Sequence, residues 1–189
     1  MKHILVATME DKPGVLNRVA SLFRRRAFNI DSLTVGHTEQ PGVSRMTLVV
    51  DTDESGALRA EANLYKLVNV LRVDDVTDRP AVVRDLALIK VAADAHKRTQ
   101  VMQLVEVFRA RVVDVANESL IVEITGTEDK IEGLIEVLRP LGIIEMVRTG
   151  IVAMTRGPAA ISPNPPLVAA TVQNRRLPAD RADAAVMSV

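Results

Sequence analysis

The chain has 189 residues, with 24 Lys plus Arg against 24 Asp plus Glu, so its formal net charge is zero; that weighs against a dedicated nucleic-acid binder, whose affinity comes from phosphate neutralisation, and suits assembly through weak self-repulsion. No cysteine is present, which excludes disulfides, iron–sulfur clusters and thiolate zinc sites. An apolar fraction of 48% and a charged fraction of 25% are those of a globular protein, and the length suits one mid-sized domain or two small ones.

Ile4 to Met9 is a short apolar run with β-branched residues, read as a buried strand. It is too short for a signal peptide or a membrane span, so a cytoplasmic protein without a membrane partner is expected. Glu10-Asp11-Lys12-Pro13-Gly14 is a turn. Val15, Leu16, Val19, Leu22 and Phe23 then share a helix face. Pro13 suits the start of that helix, and Asp11 can serve its unpaired N–H groups. Asn29 to His37 alternates as a strand, Gln40-Pro41-Gly42 turns, and Arg45 to Asp51 completes a hairpin. Thr52-Asp53-Glu54-Ser55 opens a helix whose acidic first turn suits the helix dipole, with Ala57, Ala60, Leu64 and Leu67 inward. Val70 to Val76 closes the unit.

Val76 to Val83 reads as a linker, and the order then recurs. Leu86 to Ala92 is a strand, Lys97 to Phe108 a helix, Val112 to Ala116 and Leu120 to Thr125 a hairpin. Thr127 to Leu138 is a helix, Ile143 to Thr149 a strand, and Gly150 to Met154 extends or bends it. The fold class is therefore α+β, with two ferredoxin-like βαββαβ domains. The expected boundaries are 1–76, a linker over 77–83, and 84–157. The Pro- and Ala-rich stretch 158–189 is expected to be a mobile tail.

A catalytic constellation is missing. His3, His37 and His96 stand at no metal-ligand spacing and read as surface or edge residues, so no metal site is expected. No nucleophile elbow, Walker loop or dinucleotide fingerprint occurs. Phe23, Phe28, Phe108 and Tyr65 are the only aromatic residues, and none lies centrally on a hairpin strand to stack a base. Arg24-Arg25-Arg26 reads as a solvated helix end. A binding module remains. At the Asp11–Gly14 turn a helix N-terminus can hold a carboxylate, Gly14 lets a ligand approach the backbone, and Asp11 can accept from an ammonium group. By spacing alone, a simple tight bend accounts for the same residues at least as well.

Longer motifs decide between the two. Met9-Glu10-Asp11-Lys12-Pro13-Gly14-Val15-Leu16 resembles the opening of an ACT domain, an amino-acid-sensing module. Gly14-Val15-Leu16-Asn17-Arg18-Val19, Leu22-Phe23-Arg24-Arg25-Arg26, Phe28 to Val35 and Ser44-Arg45-Met46-Thr47 resemble the regulatory, or small, subunit of acetolactate synthase. Lys66 to Val73, Arg84 to Val91, Phe108-Arg109-Ala110, Asp114-Val115 and Gly150 to Gly157 agree, so the resemblance covers residues 2–157.

That resemblance implies a non-catalytic chain with an N-terminal ACT domain, which dimerises through its ACT domains and binds the large catalytic subunit. It implies activation of that partner and feedback inhibition by valine in branched-chain amino-acid biosynthesis. Thiamine diphosphate, magnesium and FAD would belong to the partner, which condenses pyruvate with pyruvate or 2-oxobutyrate. The family's valine site, at the ACT dimer interface, matches Asp11, Gly14, Val15 and Leu16 on one protomer and Asn29 and Ile30 on the facing one. Many members carry Asn at the position of Asp11; Asp still accepts from an ammonium but adds negative charge. Arg45 and Met46 are the implied contacts to the catalytic subunit. A stand-alone amino-acid sensor acting on a different partner is the alternative.

Overall fold

The computed structural model describes residues 1–158; the expected tail lies outside the described residues from residue 159 onward. Lys2–Glu10 (β1), Val15–Arg25 (α1), Ile30–His37 (β2), Val43–Asp51 (β3), Glu54–Leu64 (α2) and Val70–Asp75 (β4) form the first unit. Ala81–Ala92 (β5), Lys97–Val107 (α3), Arg111–Val115 (β6), Ser119–Gly126 (β7), Glu128–Gly142 (α4) and Ile143–Arg148 (β8) repeat the order, and Val152–Thr155 (β9) follows. Two βαββαβ units of the α+β class are thus formed, in line with the sequence pattern.

In the first sheet the strand order is β2-β3-β1-β4, with every neighbouring pair antiparallel. Alternation along each strand decides what is buried. Leu5, Ala7 and Met9 of β1 and Met46, Leu48 and Val50 of β3 meet Val19, Leu22 and Phe23 of α1 and Leu64 of α2 in one core. Each of the Val, Leu, Met and Phe side chains among these stabilises the fold by roughly 1.5–3 kcal/mol when fully buried. α2 is started by Asp53, whose carboxylate accepts from the Gly56 N–H at 2.8 Å. The second sheet has the order β6-β7-β5-β8. Ala87, Ile89 and Val91 of β5 and Val122 and Ile124 of β7 pack there on Val101, Ile131, Leu134 and Leu138 of α3 and α4.

Three elements differ from the sequence reading. β5 begins at Ala81, inside the stretch read as a linker, because Val82 and Val83 are extended and pair with β9 (Val82 with Met154, Val83 with Ala153). Its proline, Pro80, stands just before the strand, where a missing N–H costs no ladder bond. α4 continues past Leu138 through Pro140 and stops at Gly142, φ 100°. Past Gly150, φ 86°, the chain neither extends β8 nor merely bends it. It turns back as β9 along the first half of β5, so the back of the first sheet is roofed. Val6, Val76 and Ala153 are buried together there with Ile4 and Val83 against them.

Candidate functional site

β1 ends at Glu10 and α1 begins at Val15, so the reversal is confined to Asp11–Gly14. Gly14 takes the N-cap position with φ 82°, a left-handed conformation that costs other L-residues roughly 1–2 kcal/mol. A Cβ at Gly14 would meet nothing within 4 Å, so the space above it is open. No side chain caps α1, which leaves N–H groups of its first turn to water or a ligand.

Asp11 does not serve those groups, contrary to expectation. Because Gly14 is the cap, Asp11 stands three residues outside the helix. Its backbone N–H donates to the Gly42 carbonyl at 2.8 Å, and its carboxylate lies 3.3 Å from His37 Nδ1. Both side chains remain exposed at the surface.

A brace unseen in the sequence holds the turn. The Glu10 N–H donates to the Asn69 carbonyl at 2.9 Å, and Asn69 Nδ2 donates to Glu10 Oε2 at 2.5 Å. Arg18 Nη1 of α1 donates to Asn69 Oδ1 at 2.5 Å, and Lys12 Nζ lies 3.1 Å from Glu10. The Asn69 bond, then Lys12, holds the Glu10 carboxyl below its ordinary range. Asn69 lies within a motif run, but its partners are distant in sequence, so spacing could not reveal the brace.

Val15 is 4% exposed and belongs to the core, whereas Leu16 is 46% exposed beside the turn. Asn29 is exposed and Ile30 half-buried at the start of β2. β2 pairs only with β3 among the described strands, so its other edge is unpaired. The register separates the two sets of residues. Ile30 pairs with Val50, which pairs with His3, while Glu10 pairs with Val43. His3 to Glu10 is seven residues, roughly 24 Å of strand. Asp11–Gly14 and Asn29–Ile30 therefore stand at opposite ends of the sheet and do not meet within one protomer.

Arg45 and Met46 point to opposite faces of β3. Met46 is 0% exposed in the helix-side core, so it offers no surface to a partner and is withdrawn as a direct contact. Arg45 is half-buried on the roofed face, where its Nη2 donates to the Ala153 carbonyl at 2.6 Å. Burial lowers its affinity for the proton, opposed by Glu39 and Asp74.

His37 and His96 are exposed, but His3 is buried at 4% exposure, against the surface reading. Its Nδ1 lies 3.1 Å from Asp75 Oδ2, and its Nε2 has no partner. Among the described residues, no group of three or more His, Cys, Asp or Glu side chains is placed to hold a metal ion. No helix there is long and apolar enough to cross a membrane.

Residues 5–72 match the family described as the AHAS small subunit-like ACT domain. Residues 84–157 match the one described as the small subunit of acetolactate synthase. The acetolactate synthase small subunit of Mycolicibacterium smegmatis is 51% identical over 159 residues, 84% of this chain and 94% of that protein. The probable acetolactate synthase small subunit of Archaeoglobus fulgidus is 49% identical over 157 residues, 83% of this chain and 98% of that one. The crystal structure of the acetolactate synthase small subunit from Thermotoga maritima superposes with a TM-score of 0.78 at 42% identity, covering 84% of this chain and 99% of that one. With both units matched in order and nearly the full length of each relative covered, the chain belongs to the acetolactate synthase small-subunit family, and its first unit is an ACT domain.

Proposed function

We propose that this chain is the non-catalytic regulatory subunit of a cytoplasmic acetolactate synthase. It binds and activates the large catalytic subunit and makes that subunit sensitive to valine, the end product of the pathway it opens. Thiamine diphosphate, magnesium and FAD belong to the large subunit. The ACT domain is assigned to 1–76 and the second domain to 84–157. The linker over 77–83 then overlaps the first residues of β5.

The observation that carries the reading is the division of the candidate site. An uncapped helix N-terminus at Gly14 lies at one end of the unpaired edge strand β2, and Asn29–Ile30 lie at its other end. Antiparallel pairing of β2 with a second copy of β2 places Asn29 and Ile30 of the partner subunit at the His37 end, beside Asp11. A valine there would have its carboxylate on the first turn of α1 and its ammonium on Asp11. Val15 would contribute its backbone and Leu16 its exposed side chain. Valine can shift the catalytic subunit only by its differential affinity for two states of the assembly. Arg45, on the opposite face, is the proposed contact to the large subunit.

Titrating valine into the full chain by calorimetry, and assaying acetolactate formation by a cognate large subunit with and without the chain, test both halves. Heat of binding, stimulated activity and acquired valine inhibition are expected. A chain that binds no valine sinks the site; one that leaves the large subunit's rate and valine response unchanged sinks the role.

A further inference from the structure

Between the two units lies a polar cleft of about 430 Å³. It has the form of a joint rather than a pocket, because its charges are already paired. Lys2 of β1 lies 3.0 Å from Asp31 of β2 and 2.7 Å from Glu128 at the start of α4, so one ammonium ties both units. Arg148 of β8 pairs with Asp85 and Glu132 inside the second unit. Next to Asp31, Ser32 Oγ accepts from the Ile151 N–H at 3.0 Å, and Thr34 Oγ1 donates to the Thr149 carbonyl at 3.2 Å. Gly150 fits between these bonds. A Cβ there would collide with Ser32 Oγ and come within 3.1 Å of Thr34 Oγ1, and its φ of 86° is one that L side chains rarely adopt.

These contacts fall on Asp31, Ser32 and Thr34 of β2, the first two directly after Asn29–Ile30. Resting on the reading of those two residues as half of a valine site, we infer that Asp31–Lys2–Glu128 and Ser32–Gly150–Ile151 form a clamp through which effector occupancy at the start of β2 sets the orientation of the second unit. A ligand that draws Asn29 and Ile30 toward the facing protomer also moves Asp31 and Ser32. These cannot move without dragging Glu128 and the 149–151 turn or breaking their bonds. Coupling is reciprocal, so anything that fixes the second unit also alters valine affinity. Lys2, Glu128 and Gly150 are positioning residues, not ligand contacts.

The absence of cysteine allows site-specific spin labels without background. With Arg24→Cys and Gln103→Cys, exposed positions on α1 and α3, pulsed electron resonance on the full chain, diluted with unlabelled chain, reads the distance between units. Saturating valine is expected to shift that distance in the parent. In Gly150→Ala and in Glu128→Lys the shift should fall by more than about half while the valine Kd stays within about threefold, a loss of coupling without loss of the site. The two variants act through different contacts, and circular dichroism checks that each folds. Valine binding to the parent with no change in distance overturns the clamp and leaves the site standing. An undiminished shift in both folded variants does the same. No heat of valine binding to the parent overturns the site, and the clamp with it.

Discussion

At Gly14 a positive φ and an uncapped helix coincide, and one side chain added there acts on both. Asp tolerates the left-handed region better than most residues, and the space above Gly14 is empty, so Gly14→Asp is expected to fold at a cost of about 1–2 kcal/mol. Its carboxylate would occupy the field at the helix N-terminus. Valine inhibition should be lost while stimulation of the large subunit stays within about twofold of the parent, a split that uniform misfolding cannot produce. Retained inhibition in the acetolactate assay would count against the placement. The sequence showed where this turn lies, because Pro13-Gly14 before an amphipathic run has few readings. It did not show what Asp11 does. Counting Asp11 as a cap required knowing that the helix starts only after Gly14, and His37 is a partner from another strand. Met46 was misplaced for a simpler reason: motif membership does not tell which face of a strand a residue occupies.

Among elements, the turn depends on the segment between α2 and β4. Asn69 joins the end of β1 to α1 through Glu10 and Arg18 while only 8% exposed. Asn69→Ala removes both bonds, but Lys12 still reaches Glu10 and Arg18 is exposed to water, so the fold should lose little stability while the turn loosens. Calorimetry should show weaker valine binding as the turn loosens, and unchanged affinity would separate the brace from the site. Strand and helix order was legible because alternation and the helical period were both strong in β1, β3, β5 and α1. β9 was not, since four residues after a glycine carry too little pattern to separate a returning strand from a bend. The same shortage hid the start of β5, whose partner lies about seventy residues later in the chain. Lys2 has its affinity for the proton raised, by Glu128 first and then Asp31. Its bridge is fully present below the ordinary lysine value of 10.5 and is lost only as pH rises through the raised one.

For the molecule as a whole, acid is the expected weakness. Glu10, Asp51, Asp53 and Asp94 all bind protons less readily folded than unfolded, through Asn69, the N-terminal amine, and the Gly56 and Lys97 backbone N–H groups respectively. Burial pushes Asp75 up, but Thr77 and His3 outweigh it, so its net shift is also downward. Depressed carboxylates contribute stability that is complete above their ordinary values, 4.5 for Glu and 3.8 for Asp, and is lost as pH falls through the lower folded values. Glu61, raised by burial and by Asp75 and Asp74, works the other way, against these five among the described residues. The urea midpoint should therefore fall steadily between pH 5 and pH 3, roughly the range in which such groups titrate; a flat profile would mean that these pairings contribute nothing net. β5 draws a further consequence. Its twelve residues carry β9, which covers the first sheet, at one end and β7 and β8 of the second sheet at the other. The two halves are therefore not interchangeable cassettes. A chimera joining the first half of one relative to the second half of another would set a foreign β9 over Val6 and Ile4. Such halves must change together, so the substitutions that separate relatives at Val6, Val83 and Ala153 should be correlated rather than independent.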